Sequence, residues 1–282
     1  MKQALAAAYI CLMQDSPTVA ILISTYNWPR ALGLVLQSIL AQTRMPDEVV
    51  IADDGSSLET QEQIAGFTPL FPVSLRHVWH ADKGFRKTLI LNKAVKQIRS
   101  DYIIEIDGDI ILHPEFVGDH LRFARKRQFV QGSRCMLTPP FTEEILRSGE
   151  IRFRPFRKGL KNSFNAIRIP LLSPLIPTGA RSQIRGCNLA FWREDYIRVN
   201  GYYNGFVGWG SEDSEFAARL INAGVSKRIV KWACICYHLH HPHSDRNRET
   251  LNLDLLHETE QTGLTRRGNG YEESIPENQD DV

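Results

Sequence analysis

Cysteine is scarce, and its pattern is uninformative for metal. The five thiols, Cys11, Cys135, Cys187, Cys234 and Cys236, form no CxxC pair, which argues against a zinc ribbon. Their odd number and irregular spacing read as reduced, partly buried thiols in a reducing compartment, the cytoplasm. No apolar run reaches the roughly 18 residues that span a bilayer. An excess of one charge is also missing. With 34 basic and 32 acidic side chains the net charge is +2, too balanced for a main partner that is nucleic acid. Neither GxGxxG nor GxxxxGKS/T occurs, which removes the dinucleotide and P-loop versions of an α/β fold.

What is present is an ordinary globular chain of 282 residues with 43% hydrophobic and 23% charged side chains. Such a chain buries a full core without disulfide or metal staples. Ala4 to Met13 is an apolar stretch behind Lys2, close in size to a signal-peptide core. A strand begins soon after it, at Val19, with no clean cleavage site between. Residues 1–17 are therefore expected to be a short helix or extension packed on the domain.

Strand and helix then alternate. Val19–Ile23 is a continuous apolar run, suited to a strand buried on both faces. From Ala31 to Gln42, Leu32, Val35, Leu36, Ile39 and Leu40 repeat at helical spacing, and Pro46 ends the helix. Strands are expected at 48–52, 74–79 and 102–106, with helices at 58–66 and 88–98. Further on, helices are expected at 214–222 and 249–262 and a strand at 233–237. This alternation predicts an α/β fold with a mainly parallel central sheet and helices on both faces.

Ligands of such sheets sit at the carboxyl ends of the strands. Three of those ends are polar: Ser24-Thr25-Tyr26-Asn27, Asp53-Asp54 and Asp107-Gly108-Asp109. One shared site explains all three better than three solvated turns. Two aspartates flanking a glycine are hard oxygen ligands for Mg²⁺ or Mn²⁺ beside a substrate phosphate, although an isolated DxD is also a common acidic turn. Four histidines, His238, His240, His241 and His243, follow the late strand. One of them can complete a metal site with Asp109, and His238, directly off the strand, has the best-defined direction. Trp209-Gly210-Ser211-Glu212-Asp213 opens a helix after a glycine-rich aromatic loop. Read blandly, Ser211 or Asp213 caps the helix. The functional alternative is a general base beside an aromatic platform for sugar rings.

Taken in order, these motifs resemble the metal-dependent glycosyltransferases of the GT-A fold. The first half is similar to the inverting family 2. Arg185-Gly186-Cys187-Asn188-Leu189-Ala190-Phe191, Gly201-Tyr202 and Gly208 to Glu215 resemble the C-terminal region of β-1,4-galactosyltransferases and chondroitin-polymerase-type domains. The resemblance implies a UDP-sugar donor, a glycan or lipid-linked glycan acceptor, and Mn²⁺ or Mg²⁺ as cofactor. Ser24, Tyr26, Asp53 and Asp54 match the nucleotide-binding positions, with Asp54 on the uracil. Arg86, in Gly84-Phe85-Arg86-Lys87, would contact the nucleotide, and Asp107 would approach the ribose or metal. Asp109 and His238 match the metal ligands. Trp209, Gly210 and Glu212 match acceptor-binding positions, and Asp213 the catalytic base. The activity implied is inverting transfer of a hexose of Gal, GalNAc or Glc type during surface polysaccharide or lipopolysaccharide assembly. A non-catalytic relative of the same fold and a nucleotidyltransferase are the competing readings.

The domain reading is one transferase domain over residues 18–264. It comprises a nucleotide-binding half (18–135), a basic and apolar insertion (147–177) and an acceptor-binding half (184–264). The insertion, Arg147 to Pro177, interleaves cations with large apolar residues, as an interfacial membrane segment does. A solvated connector with ordinary packing fits it equally. Peripheral attachment to the inner face of a membrane is the localisation that the first of these implies. From 265 to 282 the polar composition reads as a disordered tail.

Overall fold

Parity along the first strand decides how the core divides. In the computed structural model, which describes residues 16–175, 184–208, 210–242 and 249–274, every residue of β1 (Val19–Thr25) is buried. Side chains alternate across a sheet. Ile21 and Ile23 therefore face one layer, where they pack with Leu32, Val35, Leu36 and Ile39 of helix α1 (Pro29–Leu40). Ala20 and Leu22 face the other, against Ile90, Leu91, Ala94 and Val95. These belong to the third helix of the alternation, which continues through β2 (Glu48–Asp53), α2 (Leu58–Phe67), β3 (Ser74–Trp79), α3 (Lys87–Gln97) and β4 (Tyr102–Asp107). Pro29 occupies the first turn of α1, where its missing N–H has no intrahelical partner to lose.

After β4 the chain forms β5 (Ile110–Leu112), α4 (Phe116–Phe123), β6 (Gln128–Gln131), β7 (Ser133–Leu137), α5 (Pro139–Ser148) and β8 (Leu160–Lys161). Beyond residue 184 come β9 (Asn188–Trp192), α6 (Arg193–Arg198), α7 (Glu212–Asn222), β10 (Ser226–Ile229), β11 (Ile235–His238) and α8 (Glu249–Thr262). Among the described residues the strands make a seven-stranded sheet, ordered β10-β6-β9-β4-β1-β2-β3, and a four-stranded sheet, ordered β5-β11-β7-β8. The large sheet is parallel except where β9 runs antiparallel between β4 and β6. The sequence reading predicts β1 to β4 of the large sheet and, at 233–237, β11 of the small one; the other strands are two to five residues long and too short for a periodic signal.

Asn188 joins the two sheets. Its amide donates to the carbonyls of Ser133 at 3.1 Å and Cys234 at 2.8 Å, and its Oδ1 lies 3.0 Å from His120 Nε2. Four cysteines, Cys135, Cys187, Cys234 and Cys236, are buried free thiols whose pKa burial pushes up, so they serve as small apolar residues. Cys11 and the expected N-terminal helix lie outside the described residues.

Residues 265–274, read from composition as part of a disordered tail, pack against the domain. Arg267 Nε donates to Glu215 Oε1 at 3.1 Å, and Tyr271 N donates to the Asn200 carbonyl at 2.8 Å. Glu215 is the hub. It takes two bonds from fully buried Arg219, both at 2.8 Å, and one from Thr259 at 2.9 Å. Removing one partner of a buried pair strands the other charge. Glu215→Ala is therefore expected to lower stability by about 3–5 kcal/mol, read from urea denaturation.

Candidate active site

The order β4-β1-β2-β3 aligns the carboxyl ends of four parallel strands. Register sets Ser24 beside Asp107, and Asp107 Oδ1 accepts from Ser24 Oγ at 2.7 Å and from Lys87 Nζ at 2.9 Å. Gly108 belongs here for space rather than for its dihedral. A Cβ on it would lie 2.8 Å from Thr25 Oγ1 and 3.1 Å from the Ser24 carbonyl, to which its own N–H bonds at 2.7 Å.

The next strand ends carry the other predicted nucleotide positions. Asp54 Oδ1 lies 2.7 Å from His80 Nε2, and its Oδ2 accepts from Arg86 N at 2.8 Å. The Arg86 side chain bonds the Ala81 carbonyl and leaves its Nε buried without a partner. Tyr26, more than half exposed, donates to Asp82 at 2.9 Å and ties the 80–86 loop to the end of β1. Gly55, at φ +96°, lies so close beneath this loop that a Cβ would come within 2.6 Å of the Asp82 backbone. Asp53 is not brought to the cleft. It is fully buried, and its oxygens hold Ser56 N at 2.8 Å and His77 at 2.9 Å, which fixes the turn after β2.

Asp109 follows the same turn as Asp107 and meets the small sheet. Antiparallel pairing sets His238 opposite Ile110, and Leu239 N donates to the Asp109 carbonyl at 3.0 Å. Asp109 Oδ2 then lies 3.5 Å from His238 Nε2 and 3.4 Å from His241 Nε2. The three residues offer ligand atoms within 4.8 Å of one another. Two buried polar atoms there, Asp109 Oδ1 and His238 Nδ1, have no partner. Burial and neighbouring Asp107 push the Asp109 carboxyl up to about 7, while burial lowers His238 to about 4. A buried carboxylate beside neutral imidazole is a donor set that fits a divalent cation. His240 is not among these ligands. It is exposed, and its N–H is held by Thr142 Oγ1 at 2.8 Å. His243 lies outside the described residues.

The third cluster is at the start of α7, and capping does not account for it. Ser211 is the N-cap residue at φ 67°, yet it makes no side-chain cap bond. Asp213 turns instead to the loop before β9, where its Oδ2 accepts from Gly186 N at 2.7 Å. Tyr202 Oη lies 3.4 Å from its Oδ1 and bonds both oxygens of fully buried Glu105, at 3.0 and 3.1 Å. Glu212 accepts from Gly210 N at 3.1 Å, and burial together with Asp213 raises its carboxyl to about 7. Near that value it can donate or accept at a substrate hydroxyl. Trp209 lies outside the described residues.

Lys87 links the two sides. Burial works against its charge, but Asp107, Asp213, Glu212 and Glu105 together hold it well above the usual ammonium range. In the sequence Lys87 stands only as a motif member, and neither Glu105 nor Tyr202 is marked for a role. Glu105 did carry a signal, since an acid inside a fully buried apolar strand is rare unless paired.

Gly186 gives a direct test of this geometry. A Cβ on it would lie 2.4 Å from Asp213 Oδ1, so Gly186→Ala displaces the carboxylate that its own N–H holds. The expected outcome is an unchanged circular dichroism spectrum with turnover reduced about 100-fold, the loss that a misplacement of about 1 Å can cause.

The mainly parallel central sheet, with helices between its strands, is that of the GT-A glycosyltransferase fold. The chain belongs to glycosyl transferase family 2, whose sequence model matches residues 20–171. Residues 173–242 match the model described as the N-terminal domain of galactosyltransferase. Chondroitin synthase of Escherichia coli is 24% identical over 250 residues, covering 79% of this chain and 35% of its own. Validoxylamine A glucosyltransferase of Streptomyces hygroscopicus subsp. limoneus is 25% identical over 231 residues, covering 76% of this chain and 50% of its own. The chain thus spans a third to a half of the length of these relatives. The mannosyltransferase PcManGT of Pyrobaculum calidifontis, solved with GDP-Man and Mn²⁺, superposes with a TM-score of 0.53 at 20% identity. That match covers 79% of this chain and 56% of PcManGT, and it is a likeness of fold.

Proposed function

We propose that the protein is an inverting, metal-dependent glycosyltransferase that moves a hexose from a UDP-sugar to a glycan hydroxyl in surface polysaccharide or lipopolysaccharide assembly. The observation that carries this reading is that Lys87, ion-paired with Asp107 at 2.9 Å, is also held charged by Asp213 and Glu212 of the second cluster.

Ser24, Tyr26, Asp54 and Arg86 line the nucleotide side. Each Asp54 oxygen keeps a second lone pair for the base after serving His80 and Arg86. Asp109, His238 and His241 would hold Mn²⁺ or Mg²⁺, which neutralises charge on a leaving diphosphate. Glu212 and Gly210, with Trp209 by resemblance, receive the acceptor. Asp213 takes the proton from the attacking hydroxyl while the acceptor oxygen bonds the anomeric carbon and the nucleoside diphosphate departs on the opposite side. Gly186 N–H and Tyr202 hold the carboxylate in place for that transfer. Retention of Asp107, Asp109 and Asp213 argues against a non-catalytic relative.

Calorimetric titration of UDP with and without Mn²⁺, followed by a panel of UDP-sugars, tests the reading. Metal-dependent UDP binding and preference for one sugar support it. Absence of UDP binding in both conditions overturns the donor assignment.

A further inference from the structure

We propose that the 151–175 segment is a docking surface for an anionic lipid bilayer. The segment carries six cations, Arg152, Arg154, Arg157, Lys158, Lys161 and Arg168, and no acid. The structure sorts them into two groups. Arg157 pairs with Glu144 and Glu150, and Arg168 binds Asp119 through two bonds of 2.9 and 2.7 Å. These two fasten the segment to the domain. Arg152, Arg154, Lys158 and Lys161 are exposed and have no ion pair among the described residues.

The apolar residues divide in the same way. Phe153 is buried against the rings of Phe141 and Tyr237, at 5.7 and 4.7 Å. β8 pairs with β7, and Ile169 N donates to the Trp232 carbonyl at 2.8 Å. The segment therefore has a fixed seat on the small sheet. Yet Phe156 is 57% exposed, Phe164 71%, Leu171 81% and Leu175 75%. Phe156 and Phe164 pack edge to face at 5.2 Å, with Phe156 at φ 63°, a conformation that a bulky residue rarely adopts. Arg154 and Lys158 flank Phe156 in sequence, and Lys161 precedes Phe164 by three residues.

Exposed rings and leucines among unpaired cations match the bilayer interface, where apolar side chains enter the acyl boundary and cations meet anionic headgroups. A soluble polyanion would satisfy the cations and leave the apolar side chains in water. A simple connector would need neither. No helix among the described residues is long and apolar enough to cross a membrane, so attachment through this surface would be peripheral. β11, which ends at His238, belongs to the sheet on which the segment sits, so docking would hold the candidate active site near the bilayer.

Cosedimentation of the full chain with phosphatidylcholine vesicles, with and without phosphatidylglycerol, tests the proposal without nucleotide. It is therefore independent of the transferase reading. Binding to the anionic vesicles, reversed by salt and weak on neutral ones, is expected. Phe156→Ser with Phe164→Ser is expected to weaken binding at least about tenfold. Arg154→Glu with Lys158→Glu should do the same, while Leu58→Ser, exposed on α2, should not. Circular dichroism verifies that each variant is folded. Failure to bind anionic vesicles at low salt overturns the proposal. So does equal binding to neutral vesicles, or loss on charge reversal alone with heparin competing, which would mark a polyanion site.

Discussion

Asp213→Asn is expected to lower transfer by about 10²–10⁴-fold, the usual contribution of a positioned general base, and to leave UDP affinity unchanged. The substitution is nearly isosteric. Its amide oxygen can still accept the Gly186 N–H that reaches Asp213 Oδ2 at 2.7 Å, and its NH₂ can meet Tyr202. Shape is preserved and basicity is lost. Because the residue sits at the start of α7 and is not among the candidate metal ligands Asp109, His238 and His241, its removal should not register in a nucleotide titration. Activity with the preferred UDP-sugar and calorimetry with UDP, run on the same preparation, separate the two effects. Full activity in Asp213→Asn would remove it as the base and leave Glu212, whose carboxyl near 7 is also poised for proton transfer, as the candidate.

Much of this arrangement was legible in the sequence because the signals are local. The buried runs at Val19, Glu48 and Tyr102 announce themselves by composition, and the expected strand limits fall within one or two residues of the observed ones. The placement of polar clusters at strand ends follows from topology alone. What was hidden depends on register. Asp53 and Asp54 are neighbours of identical chemistry, and only the pleat sends one to the turn and the other toward the Arg86 loop. The capping reading of Ser211 and Asp213 failed because a loop more than twenty residues upstream in sequence, at Gly186, offers Asp213 a better donor than the helix does. Lys87 shows the same limit. Its motif was visible, but four carboxylates converge on it from β4 and α7, elements separated by about a hundred residues.

The second large effect is expected at Asp109. Its carboxyl, raised to about 7 by burial and by Asp107, must be ionised to ligate a cation. Metal binding therefore displaces a proton at and below neutrality, and Mn²⁺ affinity in the presence of UDP should fall about tenfold for each pH unit below 7. Above 7 the carboxylate is already free, and the dependence should flatten. His238 contributes little to this slope in the neutral range, since burial holds it at about 4 and its imidazole is unprotonated there. Asp109→Asn should remove the charge and reduce this pH dependence, and weaken Mn²⁺-dependent UDP binding by at least about 10–100-fold, the loss seen even for outer-shell partners of a metal. His238→Ala should weaken metal binding comparably but retain the slope, because Asp109 remains to titrate. The discriminating measurement is Mn²⁺ titration of the UDP-loaded protein at several pH values for wild type and both variants. A flat wild-type profile across neutrality, or a slope undiminished in Asp109→Asn, would exclude Asp109 as the titrating ligand.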